Sequence, residues 1–157
     1  MQHPPPVRQT AASGPPTAGR VPWILLIDDD PAVCESLRRV LATEGWRVTT
    51  ARTGADALER LHENEPDLMI TDLCMKPVNG WDLLFHERLQ RPHLPIFVIT
   101  ALSRQAANGA AQFAAEFFQK PVDLDDLLAT TRRYLEGSHS DGPTRQTRTL
   151  PHPSRTD

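Results

Sequence analysis

The sequence predicts an α/β protein in which an open, doubly wound sheet of five parallel strands is covered by five helices. Short apolar segments alternate with amphipathic segments along the chain, and the apolar segments lack the polar alternation of half-exposed strands. Proline, glycine or aspartate marks most of the boundaries between them. The 157 residues are enough for about one domain with its own core.

The first strand and the first helix meet at a sharp boundary. Residues 23–27 form a continuous apolar segment, which predicts a buried strand. Asp30 and Pro31 predict a helix start, because an N-cap carboxylate and a proline at the first helical position both favour one. Gly45 predicts the end of this helix. Its core-facing residues are expected to be Val33, Leu37, Val40 and Leu41.

The second unit follows the same pattern. Residues 46–51 predict a strand, and Thr53 predicts the start of a helix. Asp56, three residues later, makes a variant of the capping box. The apolar stripe of this helix consists of Ala57, Leu58 and Leu61.

The third unit begins after Pro66, with a strand predicted at residues 68–71 and a helix at about residues 81–89. The residues of that helix expected to face the core are Leu84, Phe85 and Leu89. Pro95 precedes a fourth strand, residues 96–100.

The last elements are a weak, alanine-rich helix from about Ser103, a short strand at residues 116–118, and a final helix capped by Asp123 that runs to about Glu136. Because parallel strands present their carboxyl ends at one edge, the residues that follow them are expected to form the ligand site.

Composition separates the two ends of the chain from its middle. Residues 1–20 are rich in proline, alanine, serine, threonine and glycine, and residues 137–157 in serine, threonine, arginine and proline. Neither segment can bury enough apolar surface to offset the entropy of ordering, so both are predicted to be disordered tails. The tails carry charges of +2 and +1, which leaves the middle at −6. An acidic domain of this kind does not favour direct nucleic-acid binding.

Targeting and metal-binding signals are weak. No apolar stretch is long enough for a membrane span, and the start of the chain lacks the apolar region of a signal peptide, so a cytoplasmic protein is expected. The two cysteines, Cys34 and Cys74, are expected to be reduced and not to bind a metal through their thiolates. The histidines are too scattered in sequence to favour a zinc site; they are His3, His62, His86, His93, His139 and His152.

Polar residues with the chemistry of a phosphoryl site lie at or just after the ends of four of the predicted strands. They are Thr100, the last residue of its strand, and Asp28, Asp29, Asp72 and Lys120, which come just after theirs. Adjacent acids at a strand end repel each other and help neither packing nor propensity, which favours a cation site at the first pair. Carboxylates that gather a divalent cation, with a hydroxyl and an ammonium, make a suitable site for a phosphoryl group.

Residues 22–136 resemble the receiver domain of bacterial two-component response regulators. The resemblance rests on Asp28-Asp29-Asp30-Pro31 after an apolar strand, Asp72 with Met75 and Gly80 behind it, Thr100-Ala101, and Lys120-Pro121. It implies a flavodoxin-like fold with the strand order 2-1-3-4-5. It also implies that the protein is not an enzyme, but promotes only its own phosphoryl transfer and dephosphorylation.

The resemblance assigns a role to each of these positions. Asp72 is the expected phosphoacceptor, which takes a phosphoryl group from a phosphohistidine donor. Mg²⁺ is the expected cofactor, bound by Asp28, Asp29, Asp72 and the backbone carbonyl of Cys74. Thr100 and Lys120 are expected to bind phosphoryl oxygens.

Thr100 and Phe117 are the expected switch residues, although burial alone would also explain Phe117. Phosphorylation would remodel the face formed by the fourth helix, the fifth strand and the fifth helix. The implied partners are a sensor histidine kinase or histidine phosphotransfer protein and a downstream target protein, and a phosphorylation-dependent homodimer is compatible with this role. The residues after Glu136 are too few for an output domain, which favours a stand-alone receiver.

The loop after Asp72 departs from the family pattern. Lys76 occupies the place of the usual proline, and Pro77 follows one position later, which predicts an altered lifetime of the phosphoryl group. Cys74 and Leu102 offer no side chain that would position water, which predicts slow hydrolysis of the acyl phosphate.

Two other functions are compatible with parts of the pattern. One is a receiver-like interaction module that binds its partners without phosphorylation, which the complete set of site residues disfavours. The other is a phosphatase with an aspartate nucleophile. Such enzymes usually carry a second acid two residues after the nucleophile, where this chain has Cys74.

Overall fold

The structure is a computed structural model that describes residues 19–75 and 79–137. Its elements alternate along the chain as β1 (Trp23–Ile27), α1 (Pro31–Ala42), β2 (Arg47–Ala51), α2 (Gly54–Glu63), β3 (Leu68–Thr71), α3 (Gly80–Gln90), β4 (Ile96–Thr100), α4 (Asn108–Ala111), β5 (Glu116–Gln119) and α5 (Leu124–Glu136). All strand pairs are parallel, and the order β2-β1-β3-β4-β5 confirms the predicted fold.

The central strands are buried on both faces, as their continuous apolar sequences predicted. In β1, Leu25 and Ile27 pack with α2, α3 and α4 on one side of the sheet. Ile24 and Leu26 pack with α1 and α5 on the other side. The sheet is therefore doubly wound, with one hydrophobic core on each face.

The predicted helix starts at Asp30, Thr53 and Asp123 are confirmed. The Asp30 carboxylate accepts hydrogen bonds from Ala32 and Val33, and the Asp123 carboxylate caps α5 in the same way. The Thr53 hydroxyl oxygen accepts from the Asp56 backbone N–H. Each of these side chains satisfies N–H groups that a helix start leaves unpaired.

Helix α3 packs differently from the prediction. Leu84 is fully buried, but Phe85 is 37% exposed and Leu89 is 82% exposed. The buried face instead carries Leu83 and Glu87 beside Leu84; Glu87 lies four residues after Leu83 and three after Leu84. The expectation for Phe85 and Leu89 was therefore wrong.

Helix α4 is much shorter than the segment predicted to begin at Ser103. It spans Asn108–Ala111 and has no side-chain cap, while the Ser103 hydroxyl caps a preceding turn by accepting from the Ala106 N–H. Glycine at position 109 lowers helix propensity, and the segment offers only small side chains to bury.

Most of the predicted tails lies outside the described residues, as do Lys76 and Pro77. Arg20, near the end of the first tail, forms an ion pair with Asp67. None of the helices in the described ranges combines the length and the apolar character that a bilayer crossing requires.

Candidate functional site

Two neighbouring strands bring Asp28 and Asp72 side by side. Ile27, the last residue of β1, is paired with Thr71, the last residue of β3. The Asp72 N–H continues this ladder by donating to the Ile27 carbonyl at 3.0 Å. The two aspartates therefore leave the sheet at the same level of its carboxyl edge, where ligands of such sheets bind.

The two aspartates form an acidic cluster with Asp29. One carboxylate oxygen from each of the three lies within 4.8 Å of the others. Asp28 and Asp72 are buried, at 3% and 6% exposure, whereas Asp29 is exposed. The sequence expectation that these acids converge is confirmed.

Lys120 reaches the cluster from the far edge of the sheet. Its backbone N–H donates to the carbonyl of Thr100 at 2.8 Å, which continues the pairing of β4 with β5. Its ammonium Nζ lies 2.7 Å from Asp28 Oδ2 and 3.1 Å from Asp72 Oδ2. The peptide bond that follows, Lys120-Pro121, is cis.

Backbone N–H groups orient the remaining carboxylate oxygens. Asp28 Oδ1 accepts a hydrogen bond from the Asp30 N–H at 2.9 Å. Asp72 Oδ1 accepts from the Cys74 N–H at 3.0 Å. Each buried carboxylate is thus held between a backbone donor and the ammonium of Lys120, which fixes its direction without help from solvent.

Burial and ion pairing act in opposite directions on the pKa values of this site. Burial raises the pKa of Asp28 above its usual range by more than the Lys120 ammonium lowers it. For Lys120, burial alone would lower the pKa, but hydrogen bonds to Asp28 and Asp72 outweigh it and raise the pKa. Lys120 is therefore charged at neutral pH.

The donor set suits a hard divalent cation. Within the described part of the chain, the three carboxylates of the cluster face the single ammonium of Lys120, so they retain excess negative charge. All three side chains offer oxygen atoms, and the Cys74 backbone lies beside them, since its N–H donates to Asp72 Oδ1. Oxygen donors with room for water are what Mg²⁺ prefers, and the residues present fit that ion.

Gly80 allows α3 to begin against the backbone of the acidic cluster. A Cβ atom at this position would lie 2.0 Å from the Asp72 carbonyl oxygen and 2.8 Å from the Leu73 Cα. No side chain fits there unless the backbone moves. The glycine eight residues after Asp72 is therefore required by packing, and the capping side chain of Asn79 fixes the same turn.

Thr100 lies at the end of β4 and is fully buried. Its hydroxyl oxygen is 3.8 Å from Cys74 Sγ and accepts from the Leu102 N–H at 3.4 Å. The structure thus connects Thr100 to the loop after Asp72.

Phe117 lies in β5, three residues before Lys120, and is half-buried against the core cluster that contains Val98. The Arg104 guanidinium stacks over its ring, with Cζ 5.0 Å from the ring centroid. Sequence reasoning missed this contact, because an exposed arginine in a loop gives no signal of the ring that it covers.

Two smaller expectations are also resolved. Asp30 is the N-cap of α1, as predicted. Both cysteines are free, as predicted, although Cys74 is exposed. The buried Cys34 thiol lies 3.2 Å from the Asp28 carbonyl oxygen, to which it donates, so α1 supports the backbone of the acidic cluster.

A family model described as the response regulator receiver domain matches residues 24–132. The response regulator MprA of Mycobacterium sp. (strain KMS) is 38% identical over 124 residues, which cover 76% of this chain and 54% of that protein. MprA of Mycobacterium leprae (strain TN) is 37% identical over 121 residues, covering 75% and 53%. The chain spans about half the length of the curated relatives that it matches.

Solved structures agree with the sequence relatives. The response regulator TrrA from Thermotoga maritima, solved in complex with Mg²⁺-BeF, is 27% identical with a TM-score of 0.68, and the match covers 73% of this chain and 99% of that one. A response regulator receiver protein from Pseudomonas putida is 31% identical with a TM-score of 0.68, covering 73% and 98%. The chain belongs to the response regulator receiver domain family of two-component systems.

Proposed function

We propose that this receiver is switched by phosphorylation of Asp72. The observation that carries the proposal is the position of its carboxylate, which is buried beside two further acids and in contact with the Lys120 ammonium. A carboxylate in such surroundings can act as a nucleophile once its negative charge is offset. The donor would be the phosphohistidine of a sensor kinase or a phosphotransfer protein.

The proposed reaction is transfer of a phosphoryl group from the donor histidine to Asp72. An Asp72 carboxylate oxygen forms a bond to phosphorus while the bond between phosphorus and the donor imidazole nitrogen breaks. The electron pair stays on that nitrogen, which takes up a proton. The products are an acyl phosphate on Asp72 and a neutral histidine on the donor. Later attack by water on phosphorus would release phosphate and regenerate the carboxylate.

Mg²⁺ would bind to Asp28, Asp29, Asp72 and the Cys74 carbonyl. Its chemical contribution would be to offset the negative charge that accumulates between the carboxylate and the phosphoryl group. Lys120 already lies between Asp28 and Asp72, so it is placed to neutralise a phosphoryl oxygen without a large movement.

Thr100 would read out the phosphorylated state. Its hydroxyl is buried beside Cys74 at the edge of the site, so a short shift would let it donate to a phosphoryl oxygen. Phe117 is the proposed second member of the switch, and its ring is now covered by Arg104. Rearrangement of both would change the surface around α4, β5 and α5, through which a target protein or a second copy would bind.

The experiment is phosphorylation by a small phosphodonor with Mg²⁺, followed by intact mass measurement. We expect an adduct with the mass of one phosphoryl group that is stable in acid and labile to hydroxylamine. The Asp72→Asn variant should form none. Asp30→Asn is the matched control, since it removes an acid at the same edge and asparagine is an equally good N-cap.

Three outcomes separate the alternatives. An adduct in the wild type and in Asp30→Asn, but not in Asp72→Asn, supports the proposal. An adduct that persists in Asp72→Asn refutes the assignment of the nucleophile. If the wild type forms no adduct but still binds its partners, the receiver works without phosphorylation.

A further inference from the structure

A second cluster of polar side chains lies at the opposite edge of the sheet. An open pocket of about 590 Å³ is lined by the end of α2, the end of α3 and the segments that lead into β3 and β4. Five of its lining residues have side chains of a type that can bind metal ions: His62, Glu65, His86, Glu87 and His93. These histidines are far apart in sequence, and the fold brings them around one space.

His86 is oriented as metal-binding histidines usually are. Its Nδ1 lies 2.9 Å from Glu87 Oε1, and Glu87 is fully buried. Arg91 forms an ion pair with the same carboxylate and donates to the Leu61 carbonyl at 2.9 Å. A carboxylate that accepts from Nδ1 leaves Nε2 with a free lone pair, and metal-ligating histidines are commonly held in this way by a carboxylate that does not itself touch the ion.

Glu65 and His93 face the pocket as a pair, with Glu65 Oε1 2.5 Å from His93 Nε2. This leaves His93 Nδ1 free to bind an ion, while Glu65 holds the far side of the ring, as Glu87 does for His86. His62 lies in the last turn of α2, is exposed, and makes no hydrogen bond or ion pair with any other described residue.

Charge and donor type select the class of ion. Glu65 and Glu87 together carry two negative charges against the one positive charge of Arg91, which favours a cation. Imidazole nitrogen suits Zn²⁺, Ni²⁺ or Cu²⁺, whereas Mg²⁺ and Ca²⁺ prefer oxygen. The pocket therefore differs in chemistry from the acidic cluster around Asp72.

We propose that this pocket is a binding site for a transition-metal ion of the Zn²⁺ class, with His62, His86, His93 and a water molecule as ligands, Glu87 as the positioning residue for His86 and Glu65 as the positioning residue for His93. Within the described ranges, only the three aspartates at the other edge already have donor atoms within 4.8 Å of one another. The His86 and His93 side chains are 54% and 70% exposed, so both can turn toward an ion without disturbing the core.

The test uses Co²⁺ as a spectroscopic probe and full-length protein in excess Mg²⁺, which competes for the acidic cluster. We expect one Co²⁺ per chain with the intense visible absorption of a four-coordinate nitrogen and oxygen site, and displacement of Co²⁺ by Zn²⁺. The variant with His62, His86 and His93 all changed to glutamine should lose this signal. The matched control changes the three other histidines, His3, His139 and His152, to glutamine and should keep it.

The role of Glu87 has its own readout. Glu87→Gln should weaken Co²⁺ binding roughly 10- to 100-fold while leaving the Co²⁺ spectrum of the saturated protein four-coordinate. If that variant fails to fold, the triple histidine variants still decide the main proposal. Equal Co²⁺ affinity in the wild type and the pocket variant, or loss of binding in the control variant, would overturn it.

Discussion

Replacing Lys120 by methionine should destabilise the protein through charge and not through packing. The Lys120 side chain is 24% exposed and methionine resembles its aliphatic stem, so little apolar contact is lost. The ammonium, however, is the cation that the described structure places against the buried carboxylates of Asp28 and Asp72. Without it, both carboxylates remain buried with too little compensating charge.

The distances and exposures at this site set the expected loss in the free energy of unfolding. Lys120 Nζ lies 2.7 Å from Asp28 and 3.1 Å from Asp72, whose side chains are 4% and 7% exposed. Removing one partner of a buried ion pair costs about 3–5 kcal/mol. Because Lys120 is partly exposed, water weakens its attraction to the two carboxylates. We therefore expect the free energy of unfolding to fall by roughly 2–4 kcal/mol.

The assay is urea denaturation at neutral pH, followed by the fluorescence of Trp23, Trp46 and Trp81 and repeated with saturating Mg²⁺. Saturating Mg²⁺ should reduce the difference in the free energy of unfolding between Lys120→Met and the wild type, because a bound cation supplies part of the missing positive charge. The pH dependence has a defined sign. The raised pKa of Lys120 means that its contribution is complete below the usual value of 10.5 and is lost only as the pH rises through the raised pKa.

Two further variants make this reasoning refutable. Arg39→Met removes an exposed ion pair with Glu35 on α1 and should have a much smaller effect. In an Asp28→Asn background, Lys120→Met should cost less, because one of the uncompensated charges is gone. If Lys120→Met is no worse than Arg39→Met, or if its cost is unchanged in the Asp28→Asn background, the charge argument is wrong.

Three other predictions follow from packing. Gly80→Ala should lower the free energy of unfolding by about 1–3 kcal/mol and slow phosphorylation, measured by urea denaturation and adduct formation, because its Cβ would collide with backbone at 2.0 Å. Leu84→Ala should cost about 2–5 kcal/mol in the same assay, whereas Leu89→Ala should stay within about 0.5 kcal/mol, since Leu84 is fully buried and Leu89 is 82% exposed. Arg104→Met should cost about 0.5–1 kcal/mol, and a fluorinated ring at Phe117 should report a changed environment by NMR, because the cation–π contact is lost.

The strands and the acidic cluster could be predicted because their signals are local. A continuous apolar segment that ends at Asp28 or Asp72 specifies both the strand and the side chain beyond it. The geometry of a parallel sheet then brings those ends together without further information. The same logic located Lys120, although nothing in its neighbourhood shows that it would reach across to β1 and β3.

The prediction for α3 was wrong because it grouped three apolar residues without the spacing of one helix face. Leu84, Phe85 and Leu89 are all apolar, but they do not share one face of a helix. Phe85 and Leu89 come one and five residues after Leu84, and side chains at those spacings point in different directions. The true stripe passes from Leu84 to Glu87, three residues on. Glu87 gives no apolar signal in the sequence, and the structure shows that its buried carboxylate pairs with Arg91 and accepts a hydrogen bond from His86 Nδ1.

The positions of its residues explain why the histidine pocket could not be found in the sequence. Zinc motifs are recognised when ligands recur at short spacings on one element, whereas His62, His86 and His93 lie on two helices and a loop. They line one pocket because α2 and α3 end on the same side of the sheet. The buried carboxylate of Glu87 is the feature that points to this pocket. A buried carboxylate needs hydrogen-bond or ion-pair partners, and the partners of Glu87, His86 and Arg91, line the pocket.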